Sequence, residues 1–382
     1  MELSEVVLAE ALSSEKYFVK FISANEAGKT GSHQCGFYIP KEAWEMFFDR
    51  EGEKGENKYN IIKIKWQDDF ETESRIIYYG KETRNEYRIT RFGRNFPFFA
   101  DEYIGSLLVI IKKDFDYYHG FVLDNGEDIE KFFQTTGLPI EEMYSYVRNN
   151  YVDENLDNKK QFEDYLESLK KPFPETREIS EKAREFCSKK IKDNDEKLIQ
   201  WLDKEYELFR YIESVRYDKI INNKIGSIEE LIRTANTILQ RRKSRAGKSL
   251  ENHFSKMLEE NRIPYTSQAN TEGSKKADFI FPNIDSYHKQ SFPEEKLFFL
   301  GAKTTCKDRW RQILNEADRI KTKHLLTLQQ GISSNQLDEM SGAGVKLVVP
   351  KKYISLYPKP YQNRILKVND FLDLLKNIYS NK

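Results

Sequence analysis

Three cysteines in 382 residues, Cys35, Cys187 and Cys306, are too few and too widely spaced for a disulfide framework or a cysteine-rich zinc site. A reducing compartment is expected. Net charge is missing too: 62 Lys and Arg meet 62 Asp and Glu, so bulk electrostatics give no reason to expect a polyanionic partner. No charged start leads into an apolar segment and no apolar run approaches bilayer length, so a soluble, cytoplasmic chain is expected. Internal repeats and low-complexity segments are also lacking. Core material is plentiful: at 38% hydrophobic and 13% aromatic, this length fills two domains.

The cancelled charge is unevenly placed. RRKSRAGK holds Arg241, Arg242, Lys243, Arg245 and Lys248, and KETRNEYRITRFGR holds Lys81, Arg84, Arg88, Arg91 and Arg94 against Glu82 and Glu86. One such cluster is as often a solvated face. Two, interleaved with glycines and aromatics, point to phosphate contacts.

Residues 1–155 read mainly as β. YNIIKIKW, RIIYYG, SLLVIIKKD and YYHGFVL are short β-branched and aromatic runs broken by Gly, Asp and Asn, and one helix, PKEAWEMFF, interrupts them, so a small barrel or sandwich is expected. Residues 156–176 are charged and punctuated by Pro172 and Pro174, as in an exposed connector. From 177 to 382 the pattern is α/β with a mixed sheet. Helical spacing in EKLIQWLDKEYELFRYIESV and SIEELIRTANTIL precedes a helix SLENHFSKMLEE opening at Ser249. Strands ADFIFP and KLFFLGAK, helix DRWRQILNEADRI, strand KHLLTL, helix SNQLDEM, strand VKLVVP and helix NDFLDLLKNIY follow.

Chemistry concentrates in this second half. Asp278 lies in ADFIFP and Lys303 ends KLFFLGAK, so neighbouring strands would bring a carboxylate and an ammonium to one sheet edge. Metal-assisted phosphodiester hydrolysis needs such a pair: hard oxygen for Mg²⁺ and a lysine to orient or deprotonate water. Read alone, the pair is more often an ordinary ion pair. A second acid would ordinarily stand two residues before the lysine, but Gly301 is there. Glu316, expected on the following helix with Gln312 and Arg309, is one replacement, and Glu251 is another; the residues alone leave the choice open. Lys307, Asp308 and Arg309 have the donors and acceptor for consecutive G·C pairs, although an acid also suits a first helical turn. Trp310 reads as core and Cys306 as a small buried residue.

In the first half, Gly28, Gly31 and Gly36 surround His33 and Gln34 ahead of Tyr38. Small residues there permit close backbone approach to phosphate, and His33 serves structure or binding equally well. TRNEYRITRFGR alternates Arg84, Arg88, Arg91 and Arg94 with Asn85, Glu86 and aromatics, a composition suited to base edges as well as backbone.

RRKSRAGKSLE, EGSKKADFIFP, GAKTTCKDRWRQILNEADRI, HLLTLQ and LVVP together resemble the catalytic domain of the EcoRII restriction endonuclease family, within the PD-(D/E)XK nucleases. AGKTGSHQCGFYIPK and TRNEYRITRFGR resemble that family's N-terminal effector-binding pseudobarrel. The resemblance implies a homodimeric, Mg²⁺-dependent type IIE enzyme that cuts duplex DNA at CCWGG. A cognate cytosine methyltransferase belongs to the same bacterial system without being a physical partner. It implies Asp278, Lys303 and Glu316 as metal and catalytic positions, with Tyr287 and Lys307 also functional, and His33, Tyr38, Arg84, Glu86 and Arg88 as effector contacts. The N-terminal domain is then expected to block the cleft until it engages a second site. Ala277 replaces the family's proline, Tyr87 a lysine, and Glu82 falls near another lysine position, which leaves effector affinity and preference in question. The competing readings are a sequence-specific regulator with an inert nuclease domain and a structure-specific repair nuclease.

Overall fold

A computed structural model describes residues 2–28, 36–149, 158–188, 190–223, 225–273 and 275–379. His33 lies outside the described residues, as do Gly31, Gln34 and Cys35.

The first half is built on alternation. Helix α1 (Leu3–Ser13) precedes strands β1 (Lys16–Phe21), β2 (Phe37–Ile39), β3 (Asn57–Trp66), β4 (Glu71–Tyr79), β5 (Glu86–Thr90), β6 (Leu107–Asp114) and β7 (Tyr117–Leu123); helix α2 (Gly126–Thr136) and strand β8 (Tyr144–Arg148) complete it. The strands form one curled mixed sheet in the order β2-β5-β4-β3-β7-β6-β1-β8, with β3 and β7 parallel and the other pairs antiparallel. On β5 the alternation is clean: Tyr87 and Ile89 are fully buried, whereas Glu86, Arg88 and Thr90 on the other face are half-buried. Phe37, Trp66, Phe92, Phe96 and Phe98 fill the curl, with Trp66 and Phe96 centroids 4.8 Å apart. PKEAWEMFF forms a 3₁₀ segment, Lys41–Met46, rather than an α-helix. Among the described residues, the two α-helices of this half, α1 and α2, lie outside the stretch expected to be helical.

The expected connector is instead packed structure. Helix α3 (Lys159–Ser168) places Phe162 and Leu166 in a cluster with Ile179 and Ala183 of α4 (Thr176–Phe186) and Leu208, Phe209 and Ile212 of α5 (Asn194–Ile221). Phe162, Leu166 and Leu169, four and three residues apart with charged residues between, already carry this helical stripe. Helix α6 then runs unbroken from Ile228 to Glu260, capped by Ser227, whose side chain accepts from the Glu230 amide. The expected start at Ser249 is therefore mid-helix. Its Gly247 costs only about 1 kcal/mol relative to alanine in a helix interior, and packing overrides it.

The second half forms a five-stranded mixed sheet, β13-β12-β11-β10-β9, from β9 (Thr266–Asn270), β10 (Lys276–Phe281), β11 (Phe298–Lys303), β12 (Lys323–Thr327) and β13 (Val345–Val348). The pairings β9–β10 and β10–β11 are antiparallel, whereas β11–β12 and β12–β13 are parallel. Helix α7 (Ile284–His288) follows β10, α8 (Ser334–Gly342) precedes β13, and α9 (Val368–Tyr379) buries Phe371, Leu372 and Leu375. The helix expected over DRWRQILNEADRI is only a 3₁₀ segment, Arg309–Asn315, after which Glu316 is extended and Ala317 takes φ +52°.

The halves share one core. Phe133 and Ile140 of the first half join Leu202 and Leu250 of the second in a single buried cluster. Around it, Gln330 Nε2 donates to the carbonyls of Ile140 (3.1 Å) and Glu142 (2.8 Å), and Ser334 N donates to Asp101 Oδ2 (2.8 Å). At one point backbone meets backbone: a Cβ built on Gly105 (φ +81°) would overlap the carbonyl of Gly331.

Candidate active site

Antiparallel pairing of β10 and β11 sets Phe279 opposite Leu300, which brings Asp278 beside the end of β11. Asp278 Oδ2 accepts from the Ala302 amide at 2.8 Å and from Lys303 Nζ at 3.3 Å. The carboxylate and ammonium expected at one sheet edge therefore meet. Asp278 is 7% exposed, so this is no solvent-screened surface pair.

Two further carboxyls face this pair. Glu251, inside α6, and Glu316, after the 3₁₀ segment, are each pushed up to about 7, first by burial and then by the negative charge of Asp278. Glu316 reaches the site by a route other than the expected helix face: the chain turns at Ala317, whose amide donates to Thr271 Oγ1 at 3.3 Å. The absence of an acid at 301 has a steric counterpart. A Cβ on Gly301 would stand 2.9 Å from Ile313 Cγ2, so the 3₁₀ segment that carries the chain to Glu316 occupies the space of a side chain there.

Sequence reasoning missed Gln268. On β9, at φ +49°, its Nε2 donates to Asp278 Oδ1 (3.1 Å) and Glu251 Oε2 (2.8 Å), tying the two acids together. A non-glycine residue in that region of backbone space is held there by its surroundings. No composition signal marks a lone glutamine; only the register of β9 on β10 could have found it.

The donor set is all hard oxygen, as Mg²⁺ requires. One of those oxygens, Glu316 Oε2, is buried without a hydrogen-bond partner. Asp278 and Glu316 fit such an ion on these two grounds, although no three acidic, histidine or cysteine side chains converge on one point among the described residues.

The expected base readers stand elsewhere. Lys307 is 3% exposed and donates to Ser106 Oγ; burial pushes its ammonium down to about 8. Asp308 Oδ1 accepts from the Gly126 amide at 2.9 Å, at the start of α2, and Arg309 pairs with Glu130 of α2. All three are engaged by the first half of the chain. Tyr287 is not drawn to Asp278 either: its hydroxyl donates to Glu272 and accepts from the Arg319 amide at 3.2 Å. Burial raises the Cys306 thiol to about 12, consistent with an inert core residue.

RRKSRAGK is largely spent on packing. Arg241 donates to Tyr217, Arg242 pairs with Glu213 at 2.8 Å, and Arg245 is buried over the rings of Tyr206 and Phe209, leaving Lys243 and Lys248 exposed. The other basic stretch is more available. Tyr38 lies opposite Arg88 across β2 and β5, and Arg88 Nε donates to Glu86 Oε1 at 3.1 Å on the same sheet face. Arg84, exposed in the β4–β5 connection, lies 5.2 Å from the Tyr79 ring centroid. Tyr38, Glu86 and Arg88 thus form one polar face with Arg84 near its end.

Residues 11–144 match the family described as "Restriction endonuclease EcoRII, N-terminal", and residues 209–372 match "EcoRII C terminal". The type II restriction enzyme EcoRII of Escherichia coli is 35% identical over 404 aligned positions, covering 97% of this chain and 96% of that protein. Among solved structures, metal-depleted Ecl18kI in complex with uncleaved, modified DNA is 20% identical, with a TM-score of 0.47 over 59% of this chain and 85% of its own. A PspGI–substrate DNA complex is 20% identical, with a TM-score of 0.43 over 56% of this chain and 97% of its own.

Proposed function

Since the chain belongs to the EcoRII family of type II restriction endonucleases, we propose that it hydrolyses phosphodiesters of duplex DNA at CCWGG, with Asp278, Lys303 and Glu316 as its catalytic centre. The observation that carries this is the buried junction of β10 and β11, where Asp278 and Lys303 meet and the negative charge of Asp278 is felt by Glu251 and Glu316. Asp278 and Glu316 hold Mg²⁺, which supplies Lewis-acid stabilisation of the charge that develops on the scissile phosphate. The Ala302 amide fixes one oxygen of Asp278 in advance, and Gln268 restrains the other together with Glu251. Lys303, still partly exposed beside Asp278, orients or deprotonates the attacking water.

The same reading assigns Lys307, Asp308 and Arg309 to the outer G·C pairs of the site, with one set per protomer of a homodimer on a near-palindromic sequence. In the present conformation their polar groups bond to Ser106, Gly126 and Glu130, so they are unavailable to DNA. That supports autoinhibition by residues 1–155, relieved when Tyr38, Arg84, Glu86 and Arg88 engage a second copy of the site. His33 is part of the same proposal. The enzyme acts in the bacterial cytoplasm beside a cytosine methyltransferase that shares its site without binding it. Among the described residues no helix is long and apolar enough to cross a membrane.

Digestion of plasmids carrying one or several CCWGG sites, with and without Mg²⁺, tests the proposal once the fragment ends are sequenced. Discrete Mg²⁺-dependent cuts at those sites, faster with several copies, are expected. Tight specific binding without cutting would overturn the nuclease in favour of an inert regulator, and cuts at other sequences would overturn CCWGG alone.

A further inference from the structure

Strand β12 is buried along its whole length, and its first residue is a lysine. Lys323 is 4% exposed, and such a side chain is seldom fully buried unless its charge is received by a partner. The proposed catalysis makes no use of it. Its hydrogen-bond partners are carbonyls rather than carboxylates: Nζ donates to the backbone oxygens of both Glu316 and Ala317, and lies 5.3 Å from the Phe299 ring centroid. The negative charges of Asp318, Glu272 and Glu316 act on it from around the same turn. Those two carbonyls stand where the 3₁₀ segment ends, so they have lost the amides that a continuing helix would offer. An ammonium has three donors and serves both.

Lys323 is itself firmly held. It pairs with Phe299 of β11 and Val345 of β13, and its amide donates to the Gly344 carbonyl at 2.9 Å. Glu316, by contrast, lies on no strand, so no sheet register fixes it as register fixes Asp278 and Lys303. Other bonds to the turn reach residues beyond it: Thr271 Oγ1 accepts from the Ala317 amide at 3.3 Å, and the Tyr287 hydroxyl accepts from the Arg319 amide at 3.2 Å. Among the described residues, Lys323 supplies the bond that joins the Glu316 backbone to the sheet, since the Glu316 amide turns back to the Ile313 carbonyl. We infer that Lys323 is the positioning residue for Glu316: it grips the turn by two carbonyls and so delivers the carboxylate that the strand carrying Gly301 lacks. The inference rests on the proposed role of Glu316 and adds what places it. Lys323 acts through the turn rather than on DNA, from the opposite end of β12 to Thr327, the residue paired with Lys303.

Lys323→Met keeps the apolar stem and removes the donors. In the full chain, cleavage of a CCWGG plasmid by this variant is expected to need about 10–100-fold more Mg²⁺ for half its maximal rate, the loss typical of a group that orients a metal ligand. Specific binding of the same sequence without metal, read by gel shift, is expected to be unchanged. Hydrogen exchange followed by mass spectrometry gives a measure independent of cutting: the amides of 317–320 are expected to exchange faster in Lys323→Met, with β10 and β11 as protected as in the parent. An unchanged Mg²⁺ requirement, or unchanged exchange at 317–320, would overturn the inference. Faster exchange throughout the five strands would overturn it too, by making Lys323 a support of the fold alone. A parent that cuts no DNA would remove the nuclease instead, while a loosened turn in Lys323→Met would still support the grip on Glu316.

Discussion

At the scale of single residues, the candidate site is a set of groups whose charges depend on one another. Asp278→Ala and Lys303→Ala are expected to abolish cleavage while specific binding, read by gel shift, persists; retained turnover in either would remove that residue from the centre. Glu316→Gln should slow cleavage by more than about 100-fold, and Gln268→Ala by about 10–100-fold, the range typical of losing a partner that only orients a ligand. Equal losses in steady-state rate would contradict the division of roles. His324 on β12 gives a separate test, of stability. It stacks on Phe298 and lies tilted against Phe371, and burial, with Lys346 nearby, pushes it down to about 4. Its unfolded value is higher, so the unfolded chain takes the proton first as pH falls. The full stability is present above about pH 6.5, drains away between about 6.5 and 4, and amounts to about 3 kcal/mol in all. Urea unfolding at pH 7 and pH 4.5 should show His324→Phe losing less than the parent; an equal loss would mean that His324 does not carry the acid sensitivity.

At the scale of elements, α3 makes the sharpest claim. Phe162 is fully buried among α4 and α5, and Phe162→Ala is expected to cost about 3–5 kcal/mol, as truncating a core aromatic does; a loss below 1 kcal/mol in denaturant titration would return residues 158–168 to the status of a connector. Four of the five strands of the second half, β10 to β13, were legible because each is a short apolar run between turn residues, and two of them place Asp278 and Lys303 as neighbours; β9, the polar run TSQAN, carries no such signal. Helix boundaries were less legible. Gly247 and Ser249 read locally as a break and a cap, yet α6 passes through both because Leu250, Phe254, Met257 and Leu258 bury one continuous face. The 3₁₀ segment at Arg309–Asn315 has the periodicity of an α-helix, and only the contacts of Trp310 and Ile313 with the sheet core decide against one. The cations of RRKSRAGK illustrate a general limit: composition counts charges but not the partners that Glu213 and Tyr217 provide.

At the scale of the whole molecule, the two halves behave as a clasp whose inner surface holds Lys307, Asp308 and Arg309, the proposed base readers. Replacing Glu130 and Ser106 together by alanine removes partners of Arg309 and Lys307. Cleavage of plasmids with a single site is expected to rise several-fold, with sites cut in several copies little changed; no gain would separate these contacts from autoinhibition. A shortened chain should begin near residue 158 rather than 177, because the later start discards α3 and uncovers Leu208, Phe209 and Ile212. The backbone meeting of Gly105 and Gly331 carries a last consequence. Because no side chain fits between them, one added methyl group at position 105 acts as a wedge that needs no ligand and damages no catalytic atom. Under the proposed autoinhibition such a change is expected to be lethal in a host whose chromosome lacks protective methylation and silent in a methylated one, which survival of transformants in the two hosts would read. On that proposal the safety of the enzyme to its own cell is written partly in a hydrogen atom, at a glycine far along the chain from the proposed catalytic residues.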